Sequence, residues 1–402
     1  MMRATIKKGI ANGIINAQPS KSFSHRLLIA SALSKNESVV NNVVFSNDII
    51  ATINCLKILG KDIITIDKKV IIKEKQDFVL SDELVFDCLE SGSTLRFFIP
   101  IAATTGKRLV FKGTEKLISR GIGPYQEIFE KQNINVEVLK DEIIIEGKLD
   151  SGDFNLVGNI SSQFITGLLF ALPLLKKDST INITTNLESK NYINMTLDVL
   201  KSSNIKIDCF DNKFGVYGNQ KYSGGIFTVE GDYSNAAFLD SLNFLNGNIV
   251  INGLNPDSSQ GDKVYLEIFK KISNEYCTID ISNCIDLGPI LFAFSSLKHG
   301  AHFINTKRLK IKESNRVLDL KEELEKFGII LKDLDNEVYI DNSLLHSPNV
   351  ELNGRNDHRI VMALSIMLTI FGGSIEGIEA VNKSYPDFFK DLERLGIEVS
   401  YE

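Results

Sequence analysis

The sequence predicts a mixed α/β (α+β) protein of two domains, and three observations lead to this prediction. A chain of 402 residues exceeds the length at which a single hydrophobic core usually keeps growing. Hydrophobic residues make up 43% and charged residues 24%, which is the ordinary balance of a globular chain. One pattern of helix and strand recurs six times along the chain. Six repeats divide naturally into two domains of three repeats each.

Each repeat opens with a helix that is apolar nearly all round, as expected of a helix buried inside a domain. These helices are predicted to begin near Ser22, Ser93, Ser161, Ser234, Asp286 and Asp357. A strand follows each of them, at 38–44, 108–112, 180–185, 248–252, 301–306 and 374–378. An amphipathic helix comes next, at 48–59, 124–132, 192–203, 261–272, 315–327 and 386–395, and the fourth is the weakest copy.

The domain boundary is predicted after the Gly- and Tyr-rich stretch 215–225. The first three-repeat domain is then 18–228. The second consists of 229–402 together with 1–17, because the N-terminal strand predicted within 2–15 joins it. The chain would cross between the domains twice, which makes a hinge with a cleft.

Charge and cysteine content exclude several classes of function. A net charge of −6 argues against a general binder of nucleic acid or of anionic membranes, since both depend on a basic surface. The five cysteines have no paired spacing, so neither a disulfide framework nor a zinc site is predicted. Neither a signal peptide nor an apolar run long enough to span a bilayer is found. We therefore expect a soluble cytoplasmic protein.

Polar and cationic residues cluster at the helix starts, where free N–H groups and the helix dipole favour an anion. The stretch 19–26 places Lys21, Ser22 and Arg26 there, and a plain serine cap is the alternative for it. Gly92 lies among hydroxyls and allows a ligand close to the backbone, or it serves an ordinary capped turn. Gln163 is either a solvated capping residue or a donor to a ligand.

The fifth and sixth helix starts carry charged side chains. Asp286 is either a helix cap or a general base in a closed cleft. His358 and Arg359 lie where the helix dipole disfavours cations, so we favour a ligand-binding role for them. Further cations lie at 119–124, 308–316 and 383–387. If these cations converge with Lys21, the site suits a small ligand with several negative charges.

Five motifs, in their order along the chain, resemble those of the 5-enolpyruvylshikimate-3-phosphate synthase family of enolpyruvyl transferases (3-phosphoshikimate 1-carboxyvinyltransferases). They are Pro-Ser-Lys-Ser-Phe-Ser-His-Arg at 19–26, Ser-Ser-Gln at 161–163, Lys-Glu-Ser-Asn-Arg at 312–316, Asp-His-Arg at 357–359 and Lys-Ser-Tyr-Pro-Asp at 383–387. The resemblance implies two domains, each of three βαβαββ units with buried parallel helices, and a cleft between the domains. It also implies a reaction in which the enolpyruvyl group of phosphoenolpyruvate passes to the 5-hydroxyl of shikimate 3-phosphate and phosphate leaves. No metal or organic cofactor is implied, and we expect a monomer whose partners are these two small molecules.

The same resemblance implies which residues form the site. Phosphoenolpyruvate would contact Lys21, Gly92, Arg120, Gln163, Arg316, Arg359 and Lys383. Shikimate 3-phosphate would contact Lys21, Ser22, Arg26, Ser161, Ser162, Gln163, Ser189, Asp286 and Lys312. Asp286 would accept a proton, Glu313 and Lys21 are further proton-transfer candidates, and His358 completes the acid/base set.

This sequence departs from the family's common pattern at three places. Asn315 stands where Asp is usual, Glu-Ser-Gly-Ser at 90–93 replaces the more frequent Asn-Ala-Gly-Thr, and Arg308 occupies a position that is Asn in some members. The catalytic residues are unaffected by these changes. The details of the phosphoenolpyruvate pocket around Gly92, and inhibitor sensitivity there, depend on them.

The sequence also bears on two alternative functions. The sister enolpyruvyl transferase that acts on a UDP-amino sugar resembles Gly-Ala-Lys-Asn at the first lysine and usually has a cysteine near Arg120, whereas this chain has Pro-Ser-Lys-Ser and no cysteine there. A non-catalytic binder of phosphorylated metabolites predicts loss of the acid/base residues. Lys21, Asp286, Glu313 and His358 are all retained.

Overall fold

The computed structural model describes residues 2–74 and 80–402, and the chain forms two compact units. One is continuous, Pro19–Glu230, and is called the middle unit below. The other combines Met1–Gln18 with Gly231–Glu402 and is called the terminal unit. The sequence placed the corresponding boundaries at 17/18 and 228/229.

Helices are spread evenly over both units. The middle unit contains α1 (Lys21–Leu33), α2 (Asn47–Ile58), α3 (Gly92–Ala103), α4 (Glu115–Ser119), α5 (Gly123–Lys131), α6 (Ser162–Ala171) and α7 (Lys190–Ser202). The terminal unit contains α8 (Tyr233–Asp240), α9 (Tyr265–Asn274), α10 (Gly288–Ser296), α11 (Arg316–Glu325), α12 (His358–Phe371) and α13 (Phe388–Arg394). Short 3-10 turns lie at Leu172–Leu174, Ser241–Leu245, Gly261–Val264, Ile285–Leu287, Lys307–Ile311 and Ile378–Lys383.

The strands are short and alternate with the helices along the chain. They begin with β1 (Arg3–Ile6), β2 (Asn12–Asn16), β3 (Ser38–Asn41), β4 (Ile63–Ile66), β5 (Lys69–Ile72), β6 (Glu83–Asp87), β7 (Arg108–Lys112) and β8 (Asn135–Val138). Next come β9 (Glu142–Glu146), β10 (Asp153–Leu156), β11 (Ser179–Ile183), β12 (Ile207–Phe210), β13 (Lys213–Val216), β14 (Ile226–Thr228) and β15 (Asn248–Asn252). The last are β16 (Thr278–Asp280), β17 (Ala301–Ile304), β18 (Ile330–Asp333), β19 (Glu337–Asp341), β20 (Leu352–Asn353), β21 (Gly373–Glu376) and β22 (Val399–Tyr401).

Five sheets share one topology, with one parallel pair followed by two antiparallel pairings. In the middle unit the orders are β6-β7-β9-β8, β10-β11-β13-β12 and β14-β3-β5-β4. In the terminal unit they are β16-β17-β19-β18 and β20-β21-β1-β22. In four of these sheets a buried helix connects the two parallel strands, as such a pair requires, whereas β14 and β3 lie at opposite ends of the middle unit. Strands β14 and β1 each complete a sheet whose other strands lie far away in sequence. An end segment of each unit therefore supplies one strand of a sheet built mainly from the opposite end of that unit.

The fourth repeat is shorter than the other five. Strands β2 and β15 form a parallel two-stranded sheet, and no antiparallel hairpin extends it within the described residues. Only residues 275–277 separate α9 from β16, which already belongs to the fifth repeat. This linker leaves no room for a hairpin, so the complete βαβαββ pattern that the resemblance implies is not met here. The amphipathic helix of this repeat was the weakest copy in the sequence.

The six apolar helices of the prediction are confirmed as α1, α3, α6, α8, α10 and α12. They form the core of each unit; in α12, for example, residues 358–369 are all buried. Each unit has its own hydrophobic core. The start of α10 differs from the prediction, because a 3-10 turn over Ile285–Leu287 precedes Gly288 and Pro289. In the part of the chain that the structure describes, every helix is too short or too polar to cross a membrane.

Candidate active site

In the middle unit, the start of α1 carries the first predicted site residues. The hydroxyl of Ser20 caps the helix by accepting from the Phe23 N–H. Lys21, the first residue of the helix, donates from Nζ to Asp48 Oδ2 at 2.8 Å. Both side chains remain slightly accessible, at 15% and 12%. Asp48, which the sequence analysis did not identify, therefore fixes the ammonium group at the surface of the unit.

Arg26 lies one turn further into α1 and is buried. Its guanidinium donates to Thr196 Oγ1 at 2.9 Å, to Ser22 O at 2.8 Å and to Tyr192 O at 3.0 Å. All these partners are neutral, so burial lowers the pKa of Arg26 to about 10. Arg26 is a buried cation without a carboxylate among these contacts, which leaves its charge available to an anion.

Gln163 at the start of α6 joins two helices. Its Oε1 accepts from Arg96 Nη1 at 2.7 Å, and its Nε2 donates to Ser93 Oγ at 2.9 Å. Arg96 lies on α3, with its guanidinium 5.0 Å from the centre of the Phe164 ring. These contacts orient the amide of Gln163 at the helix starts, where Ser161 also caps α6.

Gly92 and Arg120 are in direct contact. A Cβ at position 92 would lie 3.0 Å from Arg120 Nη1 and 3.3 Å from its Cζ. Glycine therefore lets the guanidinium rest on the backbone at the start of α3 without the shift that a Cβ would require. This packing brings together two residues that the sequence assigned to one ligand.

Three serines complete the predicted set in this unit. Ser161 is the cap of α6, and Ser162 is the first residue of that helix and is buried. Ser189 is also buried and precedes α7 in a left-handed conformation with φ 55°. Because only a few non-glycine residues adopt positive φ, Ser189 is held there by its surroundings.

In the terminal unit, Asp286 lies among three cations. Its Oδ1 is 3.1 Å from both Lys312 Nζ and Arg316 Nη1, and its Oδ2 is 3.5 Å from Arg359 Nη2. Burial by itself raises the pKa of this carboxyl, but Lys312, Arg359 and Arg316 outweigh burial and hold the pKa well below its usual range. Asp286 is therefore a carboxylate at neutral pH, the form required of a proton acceptor.

Arg316 is fully buried and pairs with three carboxylates. It donates to Asp357 Oδ2 at 2.8 Å, to Glu313 Oε2 at 2.6 Å and to Asp286 Oδ1 at 3.1 Å. Burial favours the neutral form, yet these carboxylates raise the pKa of Arg316 above its ordinary value. The predicted ligand-binding arginine thus also organises both proposed proton-transfer carboxylates.

The remaining predicted residues lie at the start of α12 and at the end of the 3-10 turn Ile378–Lys383. Arg359 donates from Nη1 to Ser234 Oγ at 2.6 Å and to the backbone oxygen of Asp286 at 2.9 Å. Lys383 donates to Asn356 O at 2.6 Å and to Asn356 Oδ1 at 2.9 Å. His358 is buried, and its Nδ1 lies 3.9 Å from Asp357 Oδ1, longer than a hydrogen bond. The structure thus places His358 inside the helix packing.

Four neighbours of the predicted site residues were not identified as such from the sequence: Asp48, Arg96, Ser234 and Asp262. Asp262 is buried, and burial together with Asp286 raises its pKa to about 7. A buried charge on the apolar face of a helix was the available signal for Arg96.

Among the residues that the structure describes, no group of three or more His, Cys, Asp or Glu side chains could hold a metal ion.

Two solved structures define the class of fold. EPSP synthase from Acinetobacter baumannii superposes with a TM-score of 0.81 at 18% identity, covering 100% of both chains. The enolpyruvyl transferase NikO from Streptomyces tendae superposes with a TM-score of 0.77 at 11% identity, covering 100% of this chain and 98% of the other. The fold of this protein is therefore that of the enolpyruvyl transferases, as the sequence predicted.

Sequence relatives narrow the class to a family. The family model described as EPSP synthase (3-phosphoshikimate 1-carboxyvinyltransferase) matches residues 7–280 and 274–392. A 3-phosphoshikimate 1-carboxyvinyltransferase from Clostridium novyi is 41% identical, covering 96% of this chain and 95% of its own. The protein of that name from Clostridium acetobutylicum is 42% identical, covering 96% of each chain. The chain belongs to the EPSP synthase family.

Proposed function

We propose that this protein is a 3-phosphoshikimate 1-carboxyvinyltransferase of the shikimate pathway, which leads to chorismate and the aromatic amino acids. It transfers the enolpyruvyl group of phosphoenolpyruvate to the 5-hydroxyl of shikimate 3-phosphate and releases inorganic phosphate. Family membership supports this reaction over transfer to a UDP-amino sugar. The observation that carries the proposal is the ionised Asp286 held among Lys312, Arg316 and Arg359.

The reaction needs a base and an acid that act in turn. The 5-hydroxyl adds to C2 of phosphoenolpyruvate while C3 gains a proton, and Asp286 takes the hydroxyl proton. Loss of a C3 proton together with the phosphate then restores the double bond. Glu313 and Lys21 are our candidates for the C3 proton, and His358 remains a weaker one because it is buried. Different neighbours allow two carboxylates to hold different protonation states.

The substrates themselves adjust the base. With three cations beside it, Asp286 is a weak base, since its pKa lies far below that of a group matched to neutral pH. The phosphate and carboxylate groups of phosphoenolpyruvate would attract Arg316, Arg359 and Lys383, and shikimate 3-phosphate would attract Lys312. Each new anion weakens the field of the cations on Asp286 and raises its pKa. The base thus becomes effective when both substrates are bound.

The middle unit contributes the neutral donors of the proposal. Ser161, Ser162, Ser189 and Gln163 supply hydroxyl and amide groups for the phosphate and hydroxyls of shikimate 3-phosphate, and Ser22 and Arg26 contact the same substrate. Arg120 beside Gly92, together with Lys21, binds phosphoenolpyruvate.

We further propose that the two units act as hinged domains and that the protein is a cytoplasmic monomer.

A phosphate-release assay with both substrates tests the function. We expect release of inorganic phosphate that requires shikimate 3-phosphate and phosphoenolpyruvate together, with no added metal. Tight binding of shikimate 3-phosphate without turnover would favour a non-catalytic binder of phosphorylated metabolites. Turnover with a UDP-amino sugar in place of shikimate 3-phosphate would favour the sister reaction.

A further inference from the structure

A short turn just before α12 connects three of the proposed phosphoenolpyruvate-binding residues. Arg355 and Asn356 are both left-handed, with φ 53° and 51°. Asn tolerates this conformation, whereas Arg disfavours it. Two such residues in succession persist only where surrounding contacts hold them, and strained backbone of this kind is common at functional sites.

Glu323 supplies those contacts from α11. Its side chain is fully buried, at 0% exposure. Oε1 accepts from Arg355 Nη2 at 2.6 Å and from Arg355 Nε at 3.0 Å. Oε2 accepts from Lys326 Nζ at 2.8 Å and from the Asn353 N–H at 2.9 Å. Both carboxylate oxygens are thus used, and one buried group holds the side chain of Arg355 in the turn and the backbone N–H of Asn353 just before it.

The same turn sets the position of the binding cations. Asn356 accepts from Lys383 through its backbone and side-chain oxygens. Asp357, the next residue, caps α12 through the N–H of Arg359 and pairs with Arg316. Since Arg316 begins α11 and Glu323 lies two turns later, α11 holds this segment at two points.

We propose that Glu323 is a positioning residue: its buried pair with Arg355 locks the 355–356 turn and thereby places Lys383, Arg359 and Arg316 for the carboxylate and phosphate of phosphoenolpyruvate. This inference rests on the proposed function. Glu323 acts through the turn and contacts neither substrate. A guanidinium or ammonium group displaced by a fraction of an ångström binds the anion less well, because charge-assisted hydrogen bonds are short and directional.

Glu322 provides a matched control, because it lies beside Glu323 and also pairs with Arg355 Nη2, at 2.7 Å, but is about half exposed. In E323Q, the amide NH2 group replaces one accepting oxygen and faces donors: Arg355 in the place of Oε1, or Lys326 and the Asn353 N–H in the place of Oε2. In R355N, Asn tolerates the left-handed backbone but is too short to reach Glu323. The E322Q variant removes only a solvent-screened contact.

The test is steady-state phosphate release with each substrate varied in turn, together with thermal unfolding. For E323Q and R355N we expect the KM for phosphoenolpyruvate to rise roughly tenfold, with the KM for shikimate 3-phosphate within about twofold of wild type. E322Q should match the wild type in both. A purely structural role would reduce the folded fraction, and therefore the apparent kcat, and leave both KM values unchanged.

Three results would overturn the inference: an unchanged KM for phosphoenolpyruvate in folded E323Q or R355N, an equal rise for both substrates, or an equal effect in E322Q. If E323Q does not fold, R355N alone decides. Absence of phosphate release by the wild type would instead refute the proposed function, so the two failures are distinguishable.

Discussion

The two units build their helix starts with different caps. In the middle unit the apolar helices α1, α3 and α6 are capped by Ser20, Ser91 and Ser161. In the terminal unit α8 and α12 are capped by Asp232 and Asp357. All five side chains accept a hydrogen bond from the first turn. The difference therefore lies in charge and not in the capping geometry.

This difference in charge changes what each helix start attracts. A neutral cap leaves the positive end of the helix dipole uncompensated, so the start of the helix attracts an anion. An aspartate cap neutralises the dipole and can hold a cation, as Asp357 holds Arg316. The terminal unit thus gains a network of alternating charges around Asp286, in which protonation states are controlled. The middle unit gains hydroxyls and amides suited to a phosphorylated polyol.

The largest effect should follow from removing the proposed base. We expect Asp286→Ala to lower kcat by two orders of magnitude or more, because no other group would accept the hydroxyl proton. The substitution also leaves Lys312 and Arg359 without this partner, so circular dichroism should accompany the assay to show a retained fold. Near-normal turnover in a folded variant would move the base to another residue.

The next effect tests the neutral caps directly. Ser161→Asp converts the α6 cap to the type found in the terminal unit, and its charge would repel an incoming phosphate. We expect the KM for shikimate 3-phosphate to rise about 10- to 100-fold, as a unit charge a few ångströms away allows. Ser161→Asn caps equally well without charge and should stay within about threefold of wild type. Equal KM values for the two variants would show that cap charge is irrelevant.

A smaller effect is expected where backbone and cation touch. Gly92→Ala places a methyl group 3.0 Å from Arg120 Nη1, so the guanidinium has to shift. We expect the KM for phosphoenolpyruvate to rise roughly fivefold to twentyfold, since this displacement is less than the loss of the side chain. Gly123→Ala is the control, because a Cβ there meets nothing within 4 Å. An unchanged KM in Gly92→Ala would remove Arg120 from the binding proposal.

The sequence predicted five of the six helix starts well because each is encoded locally, by a side-chain cap followed by an apolar run. The exception is α10, which has no side-chain cap and follows a 3-10 turn. The site residues were predictable only where a sequence motif identified them. Arg96 holds Gln163 across 67 residues, and Asp48 holds Lys21 across 27. Such pairs depend on tertiary packing, which periodicity does not report. The short fourth repeat was visible only as a weak helix, because the sequence gives no direct sign of a missing hairpin.

The smallest expected effect concerns Asp262, a buried carboxyl in the terminal unit. Burial raises its pKa, Asp286 and Asp232 raise it further, and Arg359 and a hydrogen bond with Ser234 lower it, for a value of about 7. Burial raises the pKa of the Cys284 thiol, and the nearby Asp262 raises it further. Unfolded, the same carboxyl titrates near 4. Between these two values the folded state binds more protons than the unfolded state, so this group lowers stability as pH rises and its full cost is present above pH 7.

Asp262→Asn removes that cost because an amide does not ionise. We expect the gain in unfolding free energy over wild type to grow from pH 5 to pH 8 by about 1–3 kcal/mol, because roughly two of the three pH units between the unfolded and folded pKa values lie above pH 5. Thermal unfolding of the variant and of the wild type at both pH values measures the difference. A stability difference that is constant with pH would show that Asp262 is ionised throughout, so that the charge network around Asp286 extends one carboxylate further into the unit.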